Sequence, residues 1–475
     1  MKTQNNILIH GKTISTRWLF VAVFIFAFLV RGGWIVAHLG ELGKDTDAYL
    51  HVAHNLAKHG VLGIGEGVPM KDFGPTATRP PLYPVLLSLA ASSAGEISPV
   101  RSGALNLLLG QLTVCFIWMF ARRAAPRHPM AAVISALLVT LDPLLLTYSS
   151  QSMTETPSAC LTALCCLLFS LAADSRKLGF SAAFGVALGL AAQCRTTYLP
   201  LVPLAAMVLI WIRREKCGSL IARFRSSSLA GILCLMGAVA ALSPWMIRNY
   251  RVFGKPMAST THGGYAFAVA SSPDYLAYVQ GNGRSKGPWD LATFDATISA
   301  NYPVLSSYKA GALSPSSDPQ LELAMNAYLY QLGIEWIQAD PGAFAFLTMD
   351  RFVQFWNPMP HTSGPDESPL RARMRHLVGL WYGFVFGVAM IALLALGGRA
   401  VESPLIWPVV MCVLFTAIHL LFWSNLRMRA PVMPCVSVFA ALGIVAVWSL
   451  ACERMKKHRA HRINGVARAL REVEI

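Results

Sequence analysis

Residues 18–39 read WLFVAVFIFAFLVRGGWIVAHL, an apolar run broken by one charge, Arg31. About 20 apolar residues are enough to cross a bilayer as a helix, because every backbone group in lipid has to be paired within its own segment. Lys2, Lys12 and Arg17 precede the run and no convincing small-x-small cleavage site follows it. The run is therefore expected to persist as a first span rather than to be removed as a signal peptide. The same reading extends along the chain. Apolar windows fall at 18–38, 102–121, 131–149, 157–173, 178–193, 198–212, 228–247, 377–397, 404–423 and 430–451, which predicts about ten membrane helices.

Composition supports this. Of 475 residues, 55% are hydrophobic and only 13% are charged, against about 25% charged in a soluble chain. A soluble enzyme and a disordered chain are both excluded. The net charge of +16 lies in short clusters beside the spans, such as Arg122, Arg123 and Arg127, or Arg213, Arg214 and Lys216, or Lys456, Lys457 and Arg459. Cytoplasmic loops look like this; a nucleic-acid surface does not, so no nucleic-acid partner is expected. With the N-terminus in the cytoplasm, the basic short loops all fall inside and the long stretches 41–100 and 248–375 fall outside. The expected protein is multi-pass in the cell (inner) membrane, with both termini cytoplasmic. Its expected parts are an N-terminal transmembrane module (1–247, including the first outer loop 41–100), an outer module (248–375), C-terminal transmembrane helices (376–452) and a basic cytoplasmic tail (453–475). The 10 cysteines avoid both outer stretches, so they read as small core residues rather than as disulfides or metal ligands.

Within the outer stretches, Asp47 to Lys58 can form a short amphipathic helix. Val85–Ala91 is apolar but too short to span, and is expected at the interface. Asp318-Pro319 and Asp340-Pro341 each place a capping acid before a first-turn proline, so helices are expected to start there, the second running through Phe355.

The anomaly is charge on the outer side, where short loops are normally poor in arginine. Arg195, Arg427 and Arg429 sit in short outer loops, Arg248 ends the seventh span, and Arg79 joins them with the acids Asp45, Asp47 and Glu155. Guanidinium forks match phosphate oxygens, so this face suggests a site for an anionic lipid headgroup. Each residue also has a plainer account. The arginines can snorkel to headgroups, Asp45 or Asp47 can cap the following helix, and Glu155 can complement the start of the fourth span. Asp142, before Pro143, reads as the cap of a helix restarting inside the third span. His51 and His54 share a helix face but have no third ligand.

Asp45-x-x-x-Tyr49-x-x-x-Ala53-x-Asn55-Leu followed by Thr78-Arg79-Pro-Pro-Leu-Tyr-Pro84 resembles the first outer loop of GT-C glycosyltransferases, in the branch of protein O-mannosyltransferases and lipid A aminoarabinose transferases. Thr154-Glu155-Thr, Pro244-Trp-Met-Ile-Arg248-Asn-Tyr-Arg-Val-Phe-Gly254 with Ser259-Thr-Thr-His262-Gly-Gly264, and Arg427-Met-Arg429-Ala-Pro431 are similar to later motifs of that branch. The resemblance implies an all-α, polytopic GT-C-like bundle with interfacial helices in the first outer loop and a small helical outer module. It implies inverting transfer of one sugar from a polyprenyl-phosphate carrier to a lipid, glycan or protein acceptor on the outer face. Carried over by motif, Asp45 is the base with Asp47 as second choice, Glu155 orients the acceptor or the base, and Arg79, Arg195, Arg248 and, more weakly, Arg427 bind the donor phosphate. Tyr49, Tyr83 and His262 are expected along the substrate groove. No cofactor is implied with certainty; a divalent metal ion stays open, although Thr78 stands where the aminoarabinose transferases have an acid. The other reading is a transporter or flippase of an anionic lipid, which predicts polar residues near the midplane and paired, interrupted halves. A non-catalytic scaffold would not need the outer arginines.

Overall fold

A computed structural model describes residues 6–9, 12–64, 74–174, 177–214, 220–281, 283, 287–301, 318–362, 364 and 366–473. Lys216, and the side chains of Arg214 and of the basic tail from 456 onward, lie outside the described residues. The chain opens with a short antiparallel hairpin, Asn6–Ile9 with Lys12–Ser15, which the apolar pattern does not foretell. The described chain that follows is helical. Ser15 caps α1 (Thr16–Ala37) by accepting from the Arg17 amide.

The apolar windows all fall on helices: α1, α4 (Pro99–Ala124), the pair α5 (Met130–Leu141) and α6 (Pro143–Ser149), α7 (Glu155–Asp174), α8 (Gly179–Cys194), α9 (Leu201–Arg214), α10 (Leu220–Phe253), α16 (Pro369–Leu396), α17 (Ile406–Leu421) and α18 (Met433–Val473). Among the described residues, 7 helices are long and apolar enough to cross a membrane, and 8 if α5 and α6, bent by 53°, form one span. The expected ten is reached only by adding the shorter apolar helices α8 and α17. At the α5–α6 break, Asp142 accepts from the Leu145 amide at 2.9 Å and from the Tyr382 hydroxyl at 2.9 Å. The proline removes one donor and the aspartate supplies the cap, as the sequence suggests. α18 runs unbroken from the last span to Val473, so the tail differs from the span in composition and not by a backbone break.

The exposed faces are apolar where a soluble protein would be polar. α1 and α16 present Trp18, Phe28, Leu29, Leu377, Leu380 and Leu394 outward. Lipid is the solvent that tolerates such a surface. The centre is α7, whose alanines, cysteines and serines allow close neighbours. α8 meets α10 through glycine: a Cβ at Gly185 would lie 1.9 Å from the Cys234 carbonyl oxygen, and one at Gly189 2.6 Å from that of Ala238. Small residues let such backbones approach, and this contact fixes the end of α8, where Arg195 follows.

In the loop between α1 and α4, α2 (Tyr49–His59) and α3 (Leu82–Leu89) pack through Tyr49 and Tyr83, edge to face with centroids 5.8 Å apart. The long stretch between α10 and α16, expected as an outer module, contains α11 (Gly263–Ser271), α12 (Pro273–Gln280), α13 (Leu291–Asn301), α14 (Pro319–Ala339) and α15 (Pro341–Trp356). Its core is Ala268, Val269, Phe294, Ile298, Met325, Leu329 and Leu332. Asp318 caps the Gln320 amide and Asp340 the Ala343 amide, each with proline in the first turn, as expected. Two clamps tie the module to the first outer loop. The Thr261 amide donates to the Ala77 carbonyl at 3.0 Å. Glu322 of α14 accepts from the Ala77 amide at 2.9 Å and from the Thr261 hydroxyl.

Candidate active site

A cavity of about 670 Å³ lies where the first outer loop, the end of α8, α11 and the segment 418–428 converge. Its charged lining residues are Asp47, Arg79, Arg195 and Arg427. They come from three separate parts of the chain.

The turn before α2 decides which aspartate enters. Ala48 has φ 61°, a left-handed conformation that costs a non-glycine residue about 1–3 kcal/mol. The turn sends Asp45 back onto the helix: its carboxylate accepts from the Leu50 amide at 3.0 Å and the His51 amide at 2.8 Å, and contacts the His51 ring nitrogen at 2.7 Å. Asp45, the first choice for the base, does not line the cavity. Asp45 caps the helix, whereas Asp47 faces the cavity.

Asp47 Oδ2 accepts from Arg427 Nη2, and Oδ1 lies 3.7 Å from Arg79 Nη2. Arg79 is itself held by donating Nε to the Asp47 carbonyl at 2.7 Å, and lies over the Tyr49 ring at 5.7 Å. Burial pushes the Asp47 carboxyl up, but the guanidiniums of Arg427 and Arg79 outweigh it and bring the group down to about 2. Glu155, at the first turn of α7, is fully buried behind these groups. Its Oε1 accepts from Arg195 Nη1 at 2.8 Å and from Arg427 Nε, and its Oε2 has no partner among the described residues. Glu155 thus holds two cavity arginines from behind and does not line the cavity. Arg427 bridges both carboxylates, a more central place than its motif alone implied.

Arg427 is carried by the 3-10 segment Leu426–Val432, capped by Asn425, whose side chain accepts from the Arg427 amide at 3.0 Å. Arg429, two residues on, turns inward instead. It donates to the carbonyls of Phe355 at 3.1 Å and Asn357 at 2.5 Å, and lies over the Tyr382 ring at 4.4 Å. One arginine faces the cavity and the other anchors the segment to the end of α15.

His262 lines the cavity, stacked on Tyr265 with centroids 5.2 Å apart. Burial and the nearby Arg79 push the imidazolium down to about 3, so the ring is neutral. Tyr49 also lines the cavity.

Two other expected site residues are elsewhere. Arg248 donates to Asn249 Oδ1 at 2.9 Å and to the Leu62 carbonyl at 3.1 Å, between the Trp245 and Phe253 rings at 5.0 and 5.5 Å. It fastens the first outer loop to α10 and does not line the cavity. Tyr83 is fully buried and donates to Asn106 Oδ1 at 3.0 Å, so it buttresses Tyr49 rather than the groove. Missing from the sequence reading are the aromatic lining residues Tyr265, Trp289, Tyr330 and Trp423. Only Trp423 carries a signal, standing beside the polar run that holds Arg427. Among the described residues, no three His, Cys, Asp or Glu side chains are grouped to hold a metal ion. Both acids nearest the cavity, Asp47 and Glu155, are engaged by Arg427.

Residues 78–256 match the sequence profile of the dolichyl-phosphate-mannose-protein mannosyltransferase family. No curated protein matches the sequence significantly. Among solved structures, the chain is similar to the oligosaccharyltransferase AglB of Archaeoglobus fulgidus, solved with an inhibitory peptide and a dolichol-phosphate. The TM-score is 0.53 and the identity 14%, over 94% of this chain and 52% of that one. It thus spans about half the length of that archaeal enzyme. A second Archaeoglobus fulgidus oligosaccharyltransferase structure, tethered to an acceptor peptide, gives TM-score 0.49 and 12% identity over 91% of this chain and 50% of that one. ArnT of Cupriavidus metallidurans bound to undecaprenyl phosphate gives 0.38 and 15% over 90% and 77%. With its apolar helices and its match to the mannosyltransferase profile, the chain is a multi-pass membrane protein with the GT-C glycosyltransferase fold.

Proposed function

We propose that the protein moves a single sugar from a polyprenyl-phosphate carrier to an acceptor hydroxyl, with inversion, at the outer face of a cell (inner) membrane. The observation that carries this reading is the meeting of one carboxylate, Asp47, with Arg79, Arg195 and Arg427 around one cavity. The phosphodiester of the donor binds the guanidiniums. The acceptor oxygen attacks the anomeric carbon from the side opposite the phosphate and passes its proton to Asp47. The anomeric carbon–oxygen bond breaks and its electron pair stays on the phosphate. The leaving group gains one negative charge, which the arginines are arranged to stabilise. In the resting site Arg427 and Arg79 hold Asp47 down at about 2, too low for a good base near neutral pH. A phosphate that draws those guanidiniums onto itself loosens their hold on the carboxylate and raises its basicity, so donor binding prepares the base. Glu155 orients Arg195 and Arg427.

The match of residues 78–256 to a family named for dolichyl-phosphate-mannose donors supports a lipid-phosphate sugar. So does the dolichol-phosphate held by the AglB relative. The basic inner loops support cytoplasmic termini. The proposed parts are 1–247 with the first outer loop, the outer module 248–375, the C-terminal helices 376–452 and the tail 453–475. The test is incubation of purified protein with a labelled polyprenyl-phosphate sugar and candidate acceptors. Acceptor-dependent release of free polyprenyl phosphate is the expected result; movement of the lipid without its release identifies a transporter instead.

A further inference from the structure

The cavity wall has two chemical characters. Its charged residues come from the first outer loop, the end of α8 and the 3-10 segment of Arg427. The wall built by α11, Trp289, Leu291, Tyr330 and residues 418–425 has two histidines, His262 and His419, and no carboxylate, lysine or arginine among its lining residues. Its large surfaces are the rings of Tyr265, Trp289, Tyr330, Phe422 and Trp423.

These rings are braced. Trp289 and Trp423 both stand edge-on to Tyr275, with centroids 5.6 and 5.1 Å away and interplanar angles of 71°. Tyr275 in turn donates its hydroxyl to Asp350 Oδ2 at 2.8 Å. Held rings offer a flat apolar surface without the ordering cost of a mobile side chain. The cavity lining also holds unpartnered polar groups. Trp289 Nε1, His262 Nδ1 and, from the segment that follows α8, Thr197 Oγ1 are buried, have no hydrogen-bond partner among the described residues and belong to cavity-lining residues. A buried polar atom is costly unless something pairs with it. An acyl or prenyl chain would cover the rings and leave all three atoms unpaired. A cationic ring finds no carboxylate on this wall. A neutral pyranose matches both features, since its C–H face lies on an aromatic plane while its hydroxyls donate and accept at the rim.

We propose that this wall is a saccharide subsite for an uncharged sugar ring, stacked on Trp289 or Trp423 and hydrogen-bonded through the three unpartnered groups. The ring belongs either to the donor or to the end of the acceptor. The transferase reading above is needed only to name those two sources; the subsite itself stands on the wall.

The test titrates the full-length protein in detergent, by calorimetry, with decaprenyl phosphate, decaprenyl-phosphate mannose and methyl mannobioside. Trp289→Ala and Trp423→Ala are expected to weaken a sugar-bearing probe about tenfold and to leave decaprenyl phosphate within about twofold of wild type. Trp289→Phe keeps a ring and loses the N–H, so it falls between and guards against a misfolded alanine variant. A loss on decaprenyl-phosphate mannose assigns the donor ring, and a loss on methyl mannobioside alone assigns the acceptor ring. The proposal is overturned if the wild type shows no saccharide-dependent binding, if no variant changes it, or if decaprenyl phosphate weakens equally. Trp289-dependent binding of methyl mannobioside by a protein that ignores decaprenyl phosphate sinks the transferase reading and leaves the subsite standing.

Discussion

Replacing Asp47 by asparagine should move kcat and donor KM in the same direction, an unusual pattern for damage to a site. The amide keeps the shape and cannot take the acceptor proton, so kcat should fall by about 10²–10⁴, the usual share of a positioned general base. Charge acts on binding separately. Arg79, Arg195 and Arg427 face Asp47 and Glu155, so the resting constellation carries one net positive charge, and the variant carries two. The donor phosphate would lie across a guanidinium from Asp47. At a separation of about 6 Å, removing one negative charge is worth between roughly 0.7 and roughly 3 kcal/mol for effective dielectrics from about 80 to about 20. Even the lower figure tightens donor binding about threefold.

The companion variant is Asp45→Asn, which weakens the cap on the Leu50 and His51 amides and costs about 1 kcal/mol of stability with kcat within a few-fold of wild type. The assay is steady-state release of polyprenyl phosphate with the donor varied, on variants matched for folding by thermal denaturation in detergent. Turnover that survives in Asp47→Asn but disappears in Asp45→Asn would falsify the assignment of the base. A donor KM that rises in Asp47→Asn would refute the charge argument.

Arg248→Gln should lower the melting temperature, because it gives up the Leu62 carbonyl and two aromatic faces worth about 0.5–2 kcal/mol. Donor affinity should stay within about threefold, whereas Arg195→Gln, which empties a cavity position, should weaken it tenfold or more; donor titration of both variants separates the cases. Glu322→Ala strips the acceptor from the Ala77 amide and Thr261 hydroxyl and should cost about 1–3 kcal/mol in thermal unfolding, with Glu322→Gln keeping most of it. The pH profile of kcat/KM should show no inflection near 6.5 from His262, whose depressed value of about 3 keeps it neutral. Its linked stability is full above the ordinary histidine value and erodes as pH falls toward 3. Asp47, also depressed, to about 2, places its acid limb below the ordinary aspartate range; a profile for Arg79→Gln should show that limb moving up.

The membrane helices were legible because apolar length is local: each window needs only its own residues to satisfy lipid. The capping pairs Asp318-Pro319, Asp340-Pro341 and Asp142-Pro143 were legible for the same reason, since cap and capped amide lie within three residues. Arg79, Arg195 and Arg427 announced themselves by falling in loops that the charge pattern assigns to the side where short loops avoid positive charge. Arg248 gave the same signal and does not reach the cavity, because its partner is a carbonyl 186 residues away. Asp45 and Asp47 are chemically identical and two apart; the left-handed turn at Ala48 decides which becomes a cap.

Arg427-Met-Arg429 poses the same difficulty and shows how the fold resolves it. A 3-10 segment has about three residues per turn, so positions two apart point to different sides. Met428 lies between them and meets Arg195 Nη2 through its sulfur at 2.9 Å. The burial of Arg429 against the carbonyls of Phe355 and Asn357 leaves Arg427 on the cavity side. The buried arginine therefore fixes the direction of the cavity-facing one, and the sequence, which gives both the same residue type, holds no local term that distinguishes them.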